Sequence, residues 1–147
     1  MYALCAFGFA VSGYLTVEHF SGNTSLACPT TAGVVNCERV TTSPQSSVGP
    51  VPVPVLGLVW FAVLAGLIAA PGRGAVRTLR TAWALGGLGF VCYLIYAELF
   101  LVGSICLWCS AVHLAAFALS LAVVAGLDDA DGADGAALEK GEAGQPS

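Results

Sequence analysis

Only seven charged side chains occur in the first 127 residues, Glu18, Glu38, Arg39, Arg73, Arg77, Arg80 and Glu98, and the intervals between them limit what this chain can become. A helix needs about 20 predominantly apolar residues to cross a hydrocarbon core roughly 30 Å thick. Four stretches meet that need, at about 2–20, 52–70, 81–102 and 104–127. With 57% of residues hydrophobic and 10% charged, the composition excludes an ordinary soluble domain. The expectation is an all-α membrane protein with four transmembrane helices in a single domain, residues 1–127, surrounded by membrane lipid. No basic patch interleaves with aromatics, so nucleic acid is not an expected partner. The first stretch lacks the basic flank of a cleaved signal peptide, and its apolar run is too long for one.

Other features orient the spans. Pro50, Pro52 and Pro54 stiffen the entry to the second, since proline is tolerated in a helix's first turn. Pro71-Gly72 ends it. The connection that follows carries Arg73, Arg77 and Arg80, and short arginine-rich loops stay in the cytoplasm. The loop 22–49 and the turn Gly103-Ser104 are therefore expected on the extracytoplasmic face of the cell's inner membrane. Residues 128–147 hold six acidic side chains against Lys140 and read as a disordered cytoplasmic tail. The loop shows neither helical nor strand periodicity, apart from a short helix expected around Asn36 to Thr41. Gly8 with Ser12, and Ala118 with Ala122 and Gly126, place small residues where helices pack closely in lipid.

The chemistry lies in the cysteines. Cys106-Leu107-Trp108-Cys109 puts two thiols at positions i and i+3, whose Cβ atoms lie roughly 5 to 6 Å apart on a helix, close enough to form a disulfide. If Ser104 is the N-cap, Cys106 occupies the first turn, where free N–H groups and the helix dipole favour a thiolate. By this topology Cys28 and Cys37, in the loop, share that membrane face. Redox chemistry is the reading adopted. Two structural disulfides, Cys28 with Cys37 and Cys106 with Cys109, are the first alternative, although so short a loop as the second stabilises little. A metal site is the second, with Cys106, Cys109 and His113 joined by Cys28 or Cys37. It leaves the apolar surroundings without a role, and no metal is expected. Cys5 and Cys92, inside spans, read as small buried hydrophobes. Glu98 reads as a side chain snorkelling to the interface, with proton acceptance as the alternative.

The ordered set of Cys28 and Cys37, the run Cys37-Glu38-Arg39-Val40-Thr41-Thr42-Ser43, and C-x-x-C at the start of the last span resembles bacterial members of the vitamin K epoxide reductase family. The resemblance implies a four-helix bundle that holds a membrane quinone, menaquinone or ubiquinone, beside Cys109. It implies a relay in which a thioredoxin-like (DsbA-like) carrier, supplied in trans, attacks the loop disulfide at Cys28. Cys37 then exchanges with Cys106, and Cys109 passes electrons to quinone, supporting disulfide formation in exported proteins. Ser43 and His113 would hydrogen-bond near the quinone, and Trp108 would lie beside it. Two departures stand out. Animal members have tyrosine where this chain has His113 and asparagine where it has about Val53, so epoxide reduction is only the alternative activity. A non-enzymatic membrane subunit is the other.

Overall fold

The computed structural model describes residues 1–21, 28, 34–70 and 74–127. The expected stop at Pro71-Gly72, Arg73, most of residues 22–33 and the tail 128–147 lie outside the described residues. Four long helices form the bundle: α1 (Tyr2–Ser21), α3 (Val53–Ala69), α4 (Ala75–Tyr96) and α5 (Leu107–Val124). Between α1 and α3 come α2 (Cys37–Thr41), a 3-10 turn at Pro44–Ser46, and the antiparallel pair β1 (Ser47–Val48) and β2 (Val51–Pro52). A π-helical turn, Ala97–Val102, extends α4.

Among the described residues, three helices are long and apolar enough to cross a membrane: α1, α4 with its extension (28 residues), and α5. The fourth expected span, α3, has 17 residues. At 1.5 Å per residue it measures about 25 Å. It is short because Val51 and Pro52 are already paired in the hairpin, so the helix starts only at Val53, with proline in its first turn. The hairpin itself was not expected, since strands of two residues are too short to show alternation. Gly49, at φ 61°, makes its turn.

Helix α4 begins at Ala75 rather than about residue 81, which puts Arg77 and Arg80 on the helix and not in the connection. Arginine is a good helix former. Arg80 is buried, and its Nε donates to the Leu67 carbonyl near the end of α3 at 3.1 Å. These arginines mark the end of the bundle opposite the 103–106 turn.

The outer face is as apolar as the interior, and small and polar residues are among those buried. Phe7, Phe9, Leu85, Leu99, Phe100 and Leu114 face outward, while Ser12, Ala84, Ala115, Ala116 and Ser120 are buried. In lipid, apolar burial does not drive helix association, so close contact and interhelical hydrogen bonds must do so. Gly8 packs on the ring of Phe61, and Ser12 sits against Gly57, as their small size led one to expect. Ser120 Oγ donates to the Ala84 carbonyl at 3.1 Å. Trp60 and Trp83 each donate an indole N–H to the other's carbonyl at 3.3 Å.

The inward face of α5 differs from the expected stripe. His113, Ala115, Ala116, Leu119, Ser120 and Val123 are buried, whereas Ala118 is exposed. Cys5 is buried, but Cys92 is exposed, because it lies beside the inward stripe Arg80, Ala84, Gly87 and Val91 and not on it.

Candidate active site

Backbone pairing brings the two cysteine-bearing segments together. Val35 and Ile105 form a parallel bridge, with Asn36 N–H donating to the Ile105 carbonyl at 3.1 Å and Ile105 N–H to the Val34 carbonyl at 2.9 Å. These β-branched residues suit extended pairing. Asn36 then caps α2, its Oδ1 accepting from Arg39 N–H at 2.9 Å. Cys37 follows the bridge by two residues and Cys106 by one. Both are buried, 1% and 0% exposed, in one cluster with Val40, against which Cys28, Cys109 and Trp108 pack.

The start of α5 differs from the expected cap. Ser104 is not the N-cap, because Ile105 is held extended by Val35; the N-cap is Cys106. Its sulfur accepts the Cys109 N–H at 3.3 Å. Thus Cys106 takes the capping role that serine usually fills, and Cys109 is the residue in the first turn. The Cys106 thiol is held below the usual thiol range, chiefly by a hydrogen bond from the Cys109 side chain, helped by the Cys109 and Trp108 backbone N–H groups. Burial and the Glu98 carboxylate push the other way. The loop pair is joined as a disulfide, Cys28–Cys37, with an S–S distance of 2.04 Å, while Cys106 and Cys109 are free thiols.

Beneath this cluster lies a cavity of about 540 Å³. Its walls are mostly apolar, from Leu15, Leu56, Trp60, Phe61, Phe90, Val91 and Val112. Its polar groups include Ser43, Gln45, Glu98, Cys109 and His113. Of the cysteines, Cys109 lines it and Cys28, Cys37 and Cys106 do not. His113, one turn beyond Cys109, is 8% exposed, and its Nδ1 has no hydrogen-bond partner. Ser43 Oγ donates to the Val40 carbonyl at 2.7 Å, tying the loop to α2 at the cavity wall. Trp108 does not line the cavity. It packs on Tyr14, with centroids 5.5 Å apart and planes at 58°, because its position between the two thiols turns it off the inward face.

The structure turns the reading of Glu98 to its alternative surroundings and adds His19, which the sequence reading missed. Glu98 is not at the interface: it is 7% exposed, lines the cavity, and its Oε1 has no partner. The signal was available, since Glu98 follows Val91 by two helical turns on the stripe that runs from Arg80. His19, near the end of α1, also lines the cavity. Among the described residues, no three His, Cys, Asp or Glu side chains converge as metal ligands.

Fold and site define a helical membrane protein that sets two cysteine pairs above an apolar cavity, with one thiol opening into it. The sequence profile of the Vitamin K epoxide reductase family matches residues 1–124, and the chain belongs to that family. No match is found among curated proteins. The family is one of oxidoreductases that link thiols to quinones.

Proposed function

We propose that this protein reoxidises a thioredoxin-like (DsbA-like) dithiol carrier, supplied in trans, at the extracytoplasmic face of the inner membrane, and delivers the electrons to membrane quinone. The observation that carries this reading is that Cys109 belongs both to the cysteine cluster and to the cavity wall. Arg77 and Arg80 at the opposite end of the bundle support this sidedness, and with it a path in which α3 also crosses.

The cavity suits a quinone, with a long apolar wall for ring and tail and, in His113 Nδ1, a buried polar atom lacking a partner. A quinone bound there accepts two electrons and two protons. The chain's own residues perform the rest. The carrier's thiolate attacks Cys28, releasing Cys37, and the carrier's second thiol then breaks that mixed disulfide, so that the carrier leaves oxidised and Cys28 is free. Cys37 attacks the Cys106–Cys109 disulfide at Cys106, which frees Cys109 toward the cavity. Cys28 then resolves the mixed disulfide by attacking Cys37, leaving Cys106 and Cys109 reduced. The pairing observed, a closed loop pair and an open inner pair, corresponds to this stage. His113 orients the ring by a hydrogen bond, and Ser43, its hydroxyl given to the Val40 carbonyl, holds the loop at the cavity wall.

Energetics favour this direction. Structural disulfides in exported proteins have potentials below about -300 mV and a strongly oxidising carrier sits near -120 mV, so electrons fall roughly 8 kcal/mol before reaching the membrane. Only a still stronger oxidant recycles the carrier. Purified protein mixed with a reduced thioredoxin-like carrier and a menaquinone or ubiquinone analogue is expected to reduce the quinone. A folded sample that turns over with dithiothreitol but with no carrier tried would overturn the carrier assignment.

A further inference from the structure

Glu98 has no role in the relay just described, yet it occupies one of its most expensive positions. A carboxyl oxygen without a hydrogen-bond partner in an apolar interior costs free energy, and such groups call for a reason. The chain is built to keep it there. The π-helical turn Ala97–Val102 buries both Ala97 and Glu98 while Leu99, Phe100 and Leu101 stay exposed. Such turns occur often at functional sites. Gly103, at φ 66°, closes the turn, and the Gly103 and Ser104 N–H groups both donate to the Glu98 carbonyl, the latter at 3.1 Å. The backbone of Glu98 is thereby tied to the segment leading into Cys106.

We propose that Glu98 shares one proton with Cys106 and passes it to the quinone oxygen during oxidation of the Cys106/Cys109 pair. The inference rests on the quinone-linked reading above. The need for such a group follows from charge. Cys106 is fully buried and accepts N–H groups at the N-terminus of α5, an environment that favours its thiolate. Two negative charges, on Cys106 and Glu98, would repel across low-dielectric space. A single charge shared by them avoids that, so the proton leaving Cys106 settles on Glu98.

The step balances. At the start Cys106 is a thiolate, Glu98 a carboxylic acid and Cys109 a thiol. The two sulfurs bond, the Cys109 S–H bond breaks, and two electrons pass to the quinone. One proton comes from Cys109 and the other from Glu98, giving a disulfide, a carboxylate and a hydroquinone. The next round of thiol exchange restores both protons. The titratable groups that line the cavity with Glu98 are Cys109 and His113 on α5 and His19 on α1, and Cys106 in the 103–106 turn lies within reach of its charge.

The test uses the full-length protein, dithiothreitol, a short-chain naphthoquinone, and the variants Glu98→Gln and Glu98→Asp. Glu98→Gln is expected to lower kcat about 100-fold, with KM changed less than threefold, and Glu98→Asp to recover at least a tenth of the wild-type kcat. A second readout needs no quinone. Reducing the Cys106–Cys109 disulfide is expected to raise a deuterium-sensitive carboxylic acid carbonyl band in the infrared difference spectrum, absent in Glu98→Gln and kept in Glu98→Asp. Alkylation with and without dithiothreitol confirms that the variants still exchange thiols and are folded. If Glu98→Gln does not fold, the wild-type and Glu98→Asp bands decide. Wild-type turnover with an unchanged rate in Glu98→Gln, or no carboxyl band in the wild type, overturns the proton role alone. Absence of wild-type turnover overturns the quinone reading, and the proton role with it.

Discussion

The tight contact of Gly8 on Phe61 at the seam between α1 and α3, and the cavity that all four long helices line, are built from the same apolar alphabet and end up opposite in character. At the seam, Gly8 admits the Phe61 ring and Gly57 admits Ser12, so the backbones approach closely. Around the cavity, Trp60 and Trp83 clasp each other by reciprocal hydrogen bonds and act as spacers, leaving about 540 Å³. A void lined by apolar side chains forfeits dispersion contacts that close packing would supply. The difference teaches that the bundle invests its stability in one seam and leaves another open for a ligand. Changes at Gly8, which does not line the cavity, should therefore act first on stability, while changes deep in the cavity wall should act first on chemistry.

The largest effect that would break this contrast is at the cavity's sulfur. Cys109→Ala is expected to lower quinone reduction by at least about 1,000-fold without shifting the thermal midpoint, measured by quinone absorbance and circular dichroism. Unfolding of this variant would assign the inner pair a structural role. Ala116→Phe, which places a ring in the cavity, should raise the apparent KM for quinone about tenfold or more, read from quinone titrations, again with stability kept. Gly8→Ala forces a methyl into the space of the Phe61 ring, which is 1% exposed and would have to shift toward the cavity it lines. It should destabilise the bundle by about 1–3 kcal/mol in denaturant titrations. Asn36→Ala removes the cap of α2 and should cost about 1 kcal/mol locally, seen as faster amide exchange in residues 37–41.

One pH prediction sharpens the same contrast. Because the hydrogen bond from Cys109 is the main cause of the low Cys106 thiol value, its thiolate should persist below the pH at which a free thiol protonates. In the Cys109→Ala variant the Cys106 midpoint should move up toward the ordinary range, followed by ultraviolet thiolate absorbance. No movement would mean that the backbone N–H groups suffice.

Much of this could be read along the chain. Scarcity of charge marked the apolar helices, C-x-x-C marked the thiols, and the run from Cys37 to Ser43 pointed to the family. A short helix was expected around Asn36 to Thr41, and Asn36 proves to be its cap, its side chain satisfying an otherwise free N–H. These are local properties, decided by spacing and side-chain type within a few residues. What the one-dimensional pattern missed depends on partners far away in sequence. Ser104 looked like a cap until Val35, 70 residues earlier, held Ile105 extended. Trp108 looked like a ring to stack on a cofactor, but Tyr14 holds it.

Glu98 shows the division most clearly. Its type and its place on the stripe with Gly87 and Val91 were visible from composition and period. Whether it snorkelled to water or turned inward was decided by the π-helical turn and by the packing of α5 against α4. Composition and spacing thus determined that the chain is a helical membrane protein carrying paired thiols. Tertiary structure alone decided which sulfur meets the cavity and which carboxyl stands beside it, because burial and charge proximity depend on distances between helices and not on order along one.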